Sequence, residues 1–266
     1  MMTELFSDAG MRRLDAIVQP GMLCVFDFDG TLSPIVPEPD CARLPSEVRE
    51  RLMALATLAP VAILTGRSLT DVKKRLGFEP HYVIGNHGLE GLPGWEGKSA
   101  EFAAACDGWR EALFMAMRDK KRFDPGIRIE DKRYSLSVHY RMAKNTKETE
   151  ARLAALFSKL TPPPRVVDGK FVFSLMPDEA LNKGSALLQL MAQSGASGAI
   201  YVGDDVTDED VFRLRRPDIL TVRIEPHADS AAEFHLPTMP DIVRLLDELV
   251  RRLARPSQDP TPRTSA

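Results

Sequence analysis

The sequence predicts an α/β protein in which a Rossmann-like parallel sheet is interrupted by a second, smaller domain. Strands and helices alternate between residues 22 and 90, which is typical of a parallel sheet with helices on both faces. From about residue 93 to 177 the pattern changes to paired strands with two helices, and at Lys183 the alternation resumes. We therefore predict a discontinuous core at 1–92 and 178–254, with an inserted α+β domain at 93–177.

The first half of the core contains three predicted strands and two predicted helices. The unbroken apolar run Leu23–Phe26 predicts a buried strand, and Ser46–Leu58 has apolar residues at helical spacing. The remaining elements of this half are, in order, Val61–Leu64, Leu69–Leu76 and Tyr82–Ile84.

The inserted domain has the predicted order αββαββ. Its helices are Ser99–Met117 and Lys147–Leu160. Its strands are Ile127–Glu130, Tyr134–Tyr140, Arg165–Val167 and Phe171–Leu175. Asp168-Gly169, between the last two strands, indicates a hairpin, because this pair favours tight turns. We expect an antiparallel sheet with helices packed on it.

The second half of the core resumes with alternating elements. They are a helix from Lys183 to Gln193, the strand Ala199–Val202, a short helix, the strand Leu220–Ile224 and the helix Ile242–Leu253. The end of the chain, 255–266, is rich in Pro, Ser and Thr, which predicts disorder.

Two carboxylates directly follow the first core strand. Asp27 and Asp29 are two residues apart, so on an extended chain both side chains enter one small volume. Crowded carboxylates need a cation or a proton between them, and Mg²⁺ prefers such oxygen ligands beside a substrate phosphate. Gly30 and Thr31 add free N–H groups and a hydroxyl that can bind an anion. The motif favours a phosphoryl-transfer site over the competing interpretation, an ordinary Asp-Gly turn.

A second acidic cluster, GDDVTDED at residues 203–210, follows another core strand. If that strand lies beside the first one, Asp204 and Asp208 join Asp27 around one metal ion. The competing interpretation is an acidic cap on a short helix, which satisfies free N–H groups and the helix dipole. Asp208 suits the cap, whereas Asp204 and Asp205, at the strand exit, are better candidates for metal ligands.

Thr65 and Lys183 occupy positions at which phosphate is often bound. Thr65 directly follows the predicted strand Val61–Leu64, and Lys183 begins the helix after the insertion. Taken singly, Thr-Gly-Arg is an ordinary turn, and a lysine at a helix start is usually a surface residue. Both gain weight because ligands of open α/β sheets bind past the carboxyl ends of the strands, in one crevice.

The order DFDGT, TGR, Lys183-Gly184 and GDDVTDED resembles the haloacid dehalogenase superfamily of aspartyl-phosphate phosphatases with an inserted cap. The segments GNHGLE at 85–90, EDK at 130–132 and SVHYR at 137–141, with GDDVTDED, resemble the trehalose-6-phosphate phosphatase family more closely. The resemblance covers roughly residues 20 to 250.

This resemblance implies a Mg²⁺-dependent hydrolysis of trehalose 6-phosphate, the last step of trehalose biosynthesis. The implied catalytic residues are Asp27 as nucleophile and Asp29 as acid and base, with Thr65 and Lys183 on the phosphate oxygens. The implied metal ligands are Asp27, Asp29 through its carbonyl, Asp204, Asp205 and Asp208. The implied substrate contacts are Gly30, Thr31, Gly66, Arg67, Asn86, His87, Glu130, Lys132, His139, Tyr140, Arg141 and Ser174. For Glu130, Lys132 and His139 the competing interpretation is the solvated face of a cap sheet.

One position departs from the family pattern. The family's cap motif reads approximately Gly-Lys-x-Val-x-Glu-x-x-Pro, and the present chain has Ser174 where a sugar-contacting Glu is expected. Serine offers one neutral hydroxyl in place of a carboxylate that accepts charge-assisted hydrogen bonds. Two alternatives stay open: a phosphatase for another sugar phosphate or glycosyl phosphate, and a non-catalytic sugar-phosphate sensor. Intact Asp27, Asp29, Lys183 and Asp204 count against the sensor.

The resemblance implies a small-molecule sugar phosphate as the partner, and the composition predicts a cytoplasmic protein that binds neither nucleic acid nor membrane. A formal net charge of −3 over 266 residues provides no overall basic field for nucleic acid or an anionic membrane. Cys24, Cys41 and Cys106 lie at unrelated spacings, which indicates free thiols in a reducing compartment. No signal peptide or membrane span is evident, and we expect a monomer or weak oligomer.

Overall fold

The computed structural model describes residues 2–36, 39–120, 122–169, 171–178 and 181–255. The segment predicted to be disordered therefore lies outside the described residues, apart from Arg255. Among the described residues, none of the helices has both the length and the apolar character that crossing a membrane requires.

Eleven strands form two sheets in the described part of the chain. The strands are β1 (Thr3–Glu4), β2 (Leu23–Phe26), β3 (Val61–Leu64), β4 (Tyr82–Ile84), β5 (Arg128–Asp131), β6 (Leu136–His139), β7 (Pro164–Gly169), β8 (Val172–Pro177), β9 (Ala199–Gly203), β10 (Ile219–Ile224) and β11 (Phe234–Leu236). The helices are α1 (Asp8–Ile17), α2 (Ser46–Ala56), α3 (Leu69–Leu76), α4 (Glu96–Met117), α5 (Thr146–Phe157), α6 (Lys183–Ser194), α7 (Glu209–Phe212) and α8 (Ile242–Leu253).

The larger sheet has seven parallel strands in the order β1-β11-β10-β9-β2-β3-β4. Successive residues of a strand point to opposite faces, and β2 follows this rule. Cys24 and Phe26 pack with α1, α2, α3 and α8, whereas Leu23 and Val25 pack with α6 and α7. Both faces of β2 are buried, which explains its unbroken apolar sequence.

The smaller sheet is antiparallel, with strand order β5-β6-β8-β7, and it lies in residues 93–177, which we call the cap. One face packs against α4 and α5 through a core that includes Trp109, Leu113, Leu153 and Phe157. The other face carries polar side chains, among them Glu130, Ser137 and Ser174. Ser137 lies opposite Glu130 on one neighbouring strand and opposite Ser174 on the other.

The predicted fold class is confirmed, and every predicted core strand and helix is present. The differences lie at element ends and in short elements. Helix α4 begins at Glu96, three residues before the predicted start, and α2 ends at Ala56. The predicted hairpin turn is displaced, because Asp168 and Gly169 belong to β7 and pair with β8. The short strands β1 and β11 and the ten-residue helix α1 had no predicted counterpart.

Candidate active site

The two acidic motifs meet at the carboxyl ends of adjacent strands. β2 and β9 are neighbours in the sheet, with Phe26 opposite Val202, and the Asp27 N–H donates to the Val202 carbonyl at 2.9 Å. This pairing fulfils the condition under which the sequence predicts one shared site. Asp27 is buried and Asp204 is half-buried, and both line the same cleft.

Lys183 is the central cation of this cluster, with 2% of its surface exposed. The Nζ atom donates to Asp27 Oδ1 at 2.8 Å and to Asp208 Oδ1 at 2.7 Å. Helix α6 begins at this lysine, with Asn182 as its N-cap, so the helix start fixes the ammonium. Burial lowers the pKa of Lys183, but the two carboxylates raise it by more, and the amine stays charged.

Asp208 ties the cluster to the loop after β9. Its Oδ1 accepts from Lys183 and from the Tyr201 hydroxyl at 2.6 Å. Its Oδ2 accepts from the backbone N–H groups of Asp204 at 2.9 Å and Asp205 at 2.8 Å. Four donors occupy the roughly four lone-pair positions of a carboxylate. Asp208 therefore orients the lysine and the loop, and the Asp205 side chain caps the following turn by accepting from the Val206 N–H at 2.6 Å.

Three carboxylates form a cluster that fits a hard divalent cation. The carboxylates of Asp27, Asp204 and Asp208 each have an oxygen within 4.8 Å of the others, and those of Asp27 and Asp204 remain open to a cation. Lys183 balances only one of the three negative charges. Burial raises the pKa of Asp27, and burial together with the charge of Asp208 raises the pKa of Asp204 to about 6. A group of oxygen donors with excess negative charge is the ligand set that Mg²⁺ prefers.

The turn after Asp27 is packed against this cluster. Gly30 has a φ of 82°, and a Cβ at this position would overlap the Asp204 carboxylate. Thr31 donates from its hydroxyl to Asp204 Oδ1 at 3.2 Å. The Gly30 N–H donates to the Ser33 carbonyl at 2.7 Å, so it is not free for an anion as the sequence suggested.

The side chain of Asp29 is not part of the cluster formed by Asp27, Asp204 and Asp208. Its carboxylate faces Arg67, which donates from Nε to Oδ2 at 2.6 Å and from Nη2 to Oδ1 at 2.7 Å. The two aspartates of the motif therefore bind different cations, Asp27 with Lys183 and Asp29 with Arg67.

Thr65, Asn86 and His87 line the cleft beside the two aspartates, together with Gly66. Asn86 donates to Glu90 Oε2 at 3.0 Å, and Glu90 also accepts from the Leu69 N–H at 2.9 Å. Burial lowers the pKa of His87 to about 4, so its ring is neutral near pH 7. Asn86 and His87 have φ values of 47° and 58°, a left-handed bend that packs the His87 ring against Gly66.

The cap supplies the opposite wall of a cleft of about 1170 Å³. Glu130 and Lys132, both predicted, line it, and the Glu130 Oε2 atom lies 3.0 Å from His139 Nε2. Arg110 and Arg133 line it as well, and the sequence did not single them out.

The other predicted cap residues lie away from the cleft lining. Tyr140 is 4% exposed and stacks on Phe173 at 5.3 Å inside the cap core. Arg141 is exposed at the end of the strand region, and Ser174 is half-buried on the open face of the cap sheet. Ser174 and Glu130 are both aligned with Ser137, so they belong to one row across three strands.

The comparisons with known proteins agree with this geometry. Residues 25–235 match the family model described as trehalose-phosphatase. A trehalose-phosphate phosphatase of Mycobacterium bovis is 34% identical over 251 residues, covering 90% of this chain and 64% of the relative. A trehalose-phosphate phosphatase of Mycolicibacterium paratuberculosis is 38% identical over 194 residues, covering 70% of this chain and 49% of the relative. The chain therefore spans less than two thirds of the length of these relatives.

Solved structures share the fold. The trehalose-6-phosphate phosphatase of Aspergillus fumigatus has a TM-score of 0.69 at 23% identity, covering 94% of this chain and 99% of that chain. The sucrose-phosphatase of Synechocystis, solved with sucrose and phosphate, has a TM-score of 0.52 at 18% identity, covering 86% and 98%. These likenesses support the haloacid dehalogenase fold.

Proposed function

The chain belongs to the trehalose-phosphatase family, and we propose that it hydrolyses trehalose 6-phosphate to trehalose and inorganic phosphate. The observation that carries this proposal is the contact of Lys183 with Asp27 beneath a cleft that the cap closes on its other side. A module that only binds a sugar phosphate has no need of a carboxylate held in this way.

Asp27 is the nucleophile in this proposal. One of its carboxylate oxygens forms a bond to phosphorus while the bond from phosphorus to the sugar oxygen breaks. Asp29 enters this step in its protonated form, donates its proton to the departing sugar oxygen and is left as the carboxylate. In the second half of the reaction, water attacks the phosphorus of the aspartyl-phosphate, Asp29 takes the water's proton, and Asp27 is regenerated with release of phosphate.

Asp27 and Asp204 would hold Mg²⁺, because their carboxylate oxygens converge and their charge is not balanced by Lys183 alone. The family resemblance adds the Asp29 carbonyl as a further ligand. When bound, Mg²⁺ offsets the repulsion between the attacking carboxylate and the phosphate dianion. Asp208, whose oxygens already accept four hydrogen bonds, acts by orienting Lys183 and the loop.

Lys183 and Thr65 steady the phosphate oxygens. An ammonium group has three N–H donors, and two of them contact Asp27 and Asp208, which leaves the third for a phosphate oxygen. Thr65 is buried, its hydroxyl oxygen accepts from the Arg67 N–H at 3.2 Å, and its own O–H proton is available to the substrate. Both contacts act where the charge of the transferring phosphoryl group spreads.

The cap is proposed to bind the sugar and to exclude bulk water when it closes. Glu130 and Lys132 line the cleft, and His139 contacts Glu130. A carboxylate and an ammonium at this wall match the hydroxyl groups of a sugar. The buried thiols of Cys24 and Cys106 suit a reducing compartment, and we propose that the protein is cytoplasmic. We also propose a monomer or weak oligomer.

A phosphatase for a different sugar phosphate is the second candidate. The observation that favours it is Ser174, which lies in the same cross-strand row as Glu130, on the open face of the cap sheet. A serine hydroxyl at this place makes weaker sugar contacts than the carboxylate that the family pattern leads us to expect.

Phosphate release from a panel of substrates tests the proposal. Trehalose 6-phosphate, sucrose 6-phosphate, glucose 6-phosphate and 4-nitrophenyl phosphate are each incubated with the protein in Mg²⁺ or in EDTA. We expect the highest kcat/KM for trehalose 6-phosphate and a loss of activity in EDTA. A higher kcat/KM for another sugar phosphate would favour the second candidate, and binding without phosphate release would indicate a sensor.

A further inference from the structure

The guanidinium group of Arg67 is held between two carboxylates. It donates to both oxygens of Asp29, at 2.6 and 2.7 Å, and from Nη1 to Asp71 Oδ2 at 2.7 Å. Its side chain is 13% exposed. We propose that Arg67 is a positioning residue, which fixes the Asp29 carboxylate for proton transfer and does not bind the phosphoryl group of the substrate. This inference rests on the proposed phosphatase activity.

Arg67 is itself anchored by a line of alternating charges. Asp71 contacts Arg67 and also accepts from Arg75 Nε at 3.0 Å. Arg75 is 7% exposed and donates to the Asp40 carbonyl at 2.7 Å and to its carboxylate at 3.0 Å. We call Asp29, Arg67, Asp71, Arg75 and Asp40 the charge chain. Arg75 is buried, Arg67 and Asp71 are half-buried, and all three are paired on both sides, so the guanidinium of Arg67 has little freedom to turn towards a ligand.

The charge chain separates the two carboxylates of the acidic motif. Asp27 contacts Lys183, whereas Asp29 contacts Arg67 and is not part of the cluster of three carboxylates. A bidentate contact fixes the plane of a carboxylate as well as its position. Each oxygen of Asp29 keeps a second lone pair, and that position can carry the proton that passes to the departing sugar oxygen. Without Arg67, the Asp29 side chain would be free to rotate towards the cluster of Asp27, Asp204 and Asp208.

The two roles of Arg67 differ in how they depend on the leaving group. A sugar alkoxide needs a proton as it departs, so its hydrolysis depends on the placement of Asp29. A 4-nitrophenolate leaves without a proton, but its phosphoryl group needs the same oxygen contacts. Positioning of Asp29 thus predicts a loss that is confined to the sugar substrate, whereas phosphoryl binding predicts equal losses.

The experiment measures kcat and KM of Arg67→Gln and Asp71→Asn on trehalose 6-phosphate and on 4-nitrophenyl phosphate. For Arg67→Gln we expect kcat on the sugar phosphate to fall about 10²-fold, the lower range for loss of a positioned acid or base, with KM little changed. On the aryl phosphate we expect less than about 3-fold loss, since general acid catalysis contributes little there. Asp71→Asn should give the same pattern with smaller losses, because it acts through Arg67. Arg67→Gln should cost little further kcat in an Asp29→Asn background, since the two side chains act as one unit.

The matched control is Arg216→Gln, which removes a similar two-bond contact, from Arg216 to Asp218 at 2.9 and 2.6 Å, on the protein surface. We expect parental kinetics on both substrates for this variant. Equal losses for Arg67→Gln on both substrates, or a rise in KM on both, would overturn the positioning role in favour of phosphoryl binding. If both Arg67→Gln and Asp71→Asn left kcat on the sugar phosphate unchanged, the positioning role would be overturned as well. A parent protein inactive on both substrates would instead refute the proposed function.

Discussion

Replacing Lys183 with methionine tests the electrostatics of the site without a substrate. The variant keeps a long side chain but removes the only cation that contacts both Asp27 and Asp208 in the described structure. Lys183 is 2% exposed, so solvent cannot replace the lost charge. Breaking a buried ion pair from one side costs about 3–5 kcal/mol. For a chain of this size that loss corresponds to a fall of roughly 6–20 °C in Tm, at 2–4 °C per kcal/mol.

Thermal and urea unfolding of Lys183→Met, in EDTA and in Mg²⁺, measures this effect. We expect the full loss in EDTA, because Asp27, Asp204 and Asp208 then carry excess negative charge. Mg²⁺ should raise the Tm of the variant by more than that of the parent, because it restores positive charge to the same cluster. Restored stability does not restore the contact with phosphate, so turnover should stay very low in Mg²⁺.

The control for this prediction is Lys98→Met. Lys98 contacts Glu101 at 3.3 Å with both side chains exposed, and a surface pair contributes about 0–1 kcal/mol. A loss of less than about 1 kcal/mol for Lys183→Met in EDTA, equal to that of an exposed pair, would refute the reasoning.

Three further predictions concern the turn, the metal site and the cap. Gly30→Ala should reduce phosphatase activity and Mg²⁺ affinity, measured by kinetics and calorimetry, because φ is 82° and a Cβ would overlap the Asp204 carboxylate. The pKa of Asp204 is raised to about 6 from 3.8, so in EDTA the folded state takes up protons more readily than the unfolded state. Protonation of Asp204 therefore makes the Tm in EDTA rise as the pH falls from 7 towards 5, and Asp204→Asn should weaken this rise. The Mg²⁺ affinity of the parent should fall over the same pH range, because protons compete with Mg²⁺ for the carboxylate. Ser174→Glu should lower KM for trehalose 6-phosphate if the open cap face binds a disaccharide, and a raised KM would indicate that the added carboxylate is left unpaired.

The position of the carboxylate cluster could be predicted from the sequence because its signals are local. Asp27 and Asp204 directly follow apolar runs that form strands, and ligand sites of parallel sheets lie at such strand ends. The adjacency of β2 and β9 was only a condition in that argument, and the pairing of Phe26 with Val202 fulfils it.

The contacts that orient the other side chains of the site could not be predicted, because they join distant residues without a sequence pattern. Arg67 reaches Asp29 across 38 positions, and Glu90 reaches the Leu69 N–H across 21. Tyr201 lies in an apolar strand and looks like a core residue, and only the fold aims its hydroxyl at Asp208. By contrast, the burial of Tyr140 could have been predicted from the sequence. In an extended segment Tyr140 lies on the same face as Val138, two residues earlier, and that face is buried.

The strands β1 and β11 were missed for a related reason. β1 has two residues and β11 has three, and neither length carries a recognisable periodicity. Their pairing with each other and with β10 stabilises them as strands. Helix α1 did carry signals, since Ser7 caps it and Leu14 and Ile17 are buried three residues apart.

Steady-state phosphate release by Asp27→Asn tests the central claim most directly. The amide keeps the shape of the side chain but removes the proposed nucleophile and one negative charge of the carboxylate cluster. We expect release from trehalose 6-phosphate in Mg²⁺ to fall to background, while circular dichroism shows a folded protein and the parent turns over under the same conditions. Substantial steady-state phosphate release by the pure variant would contradict the account, because the reaction would then proceed without the Asp27 carboxylate.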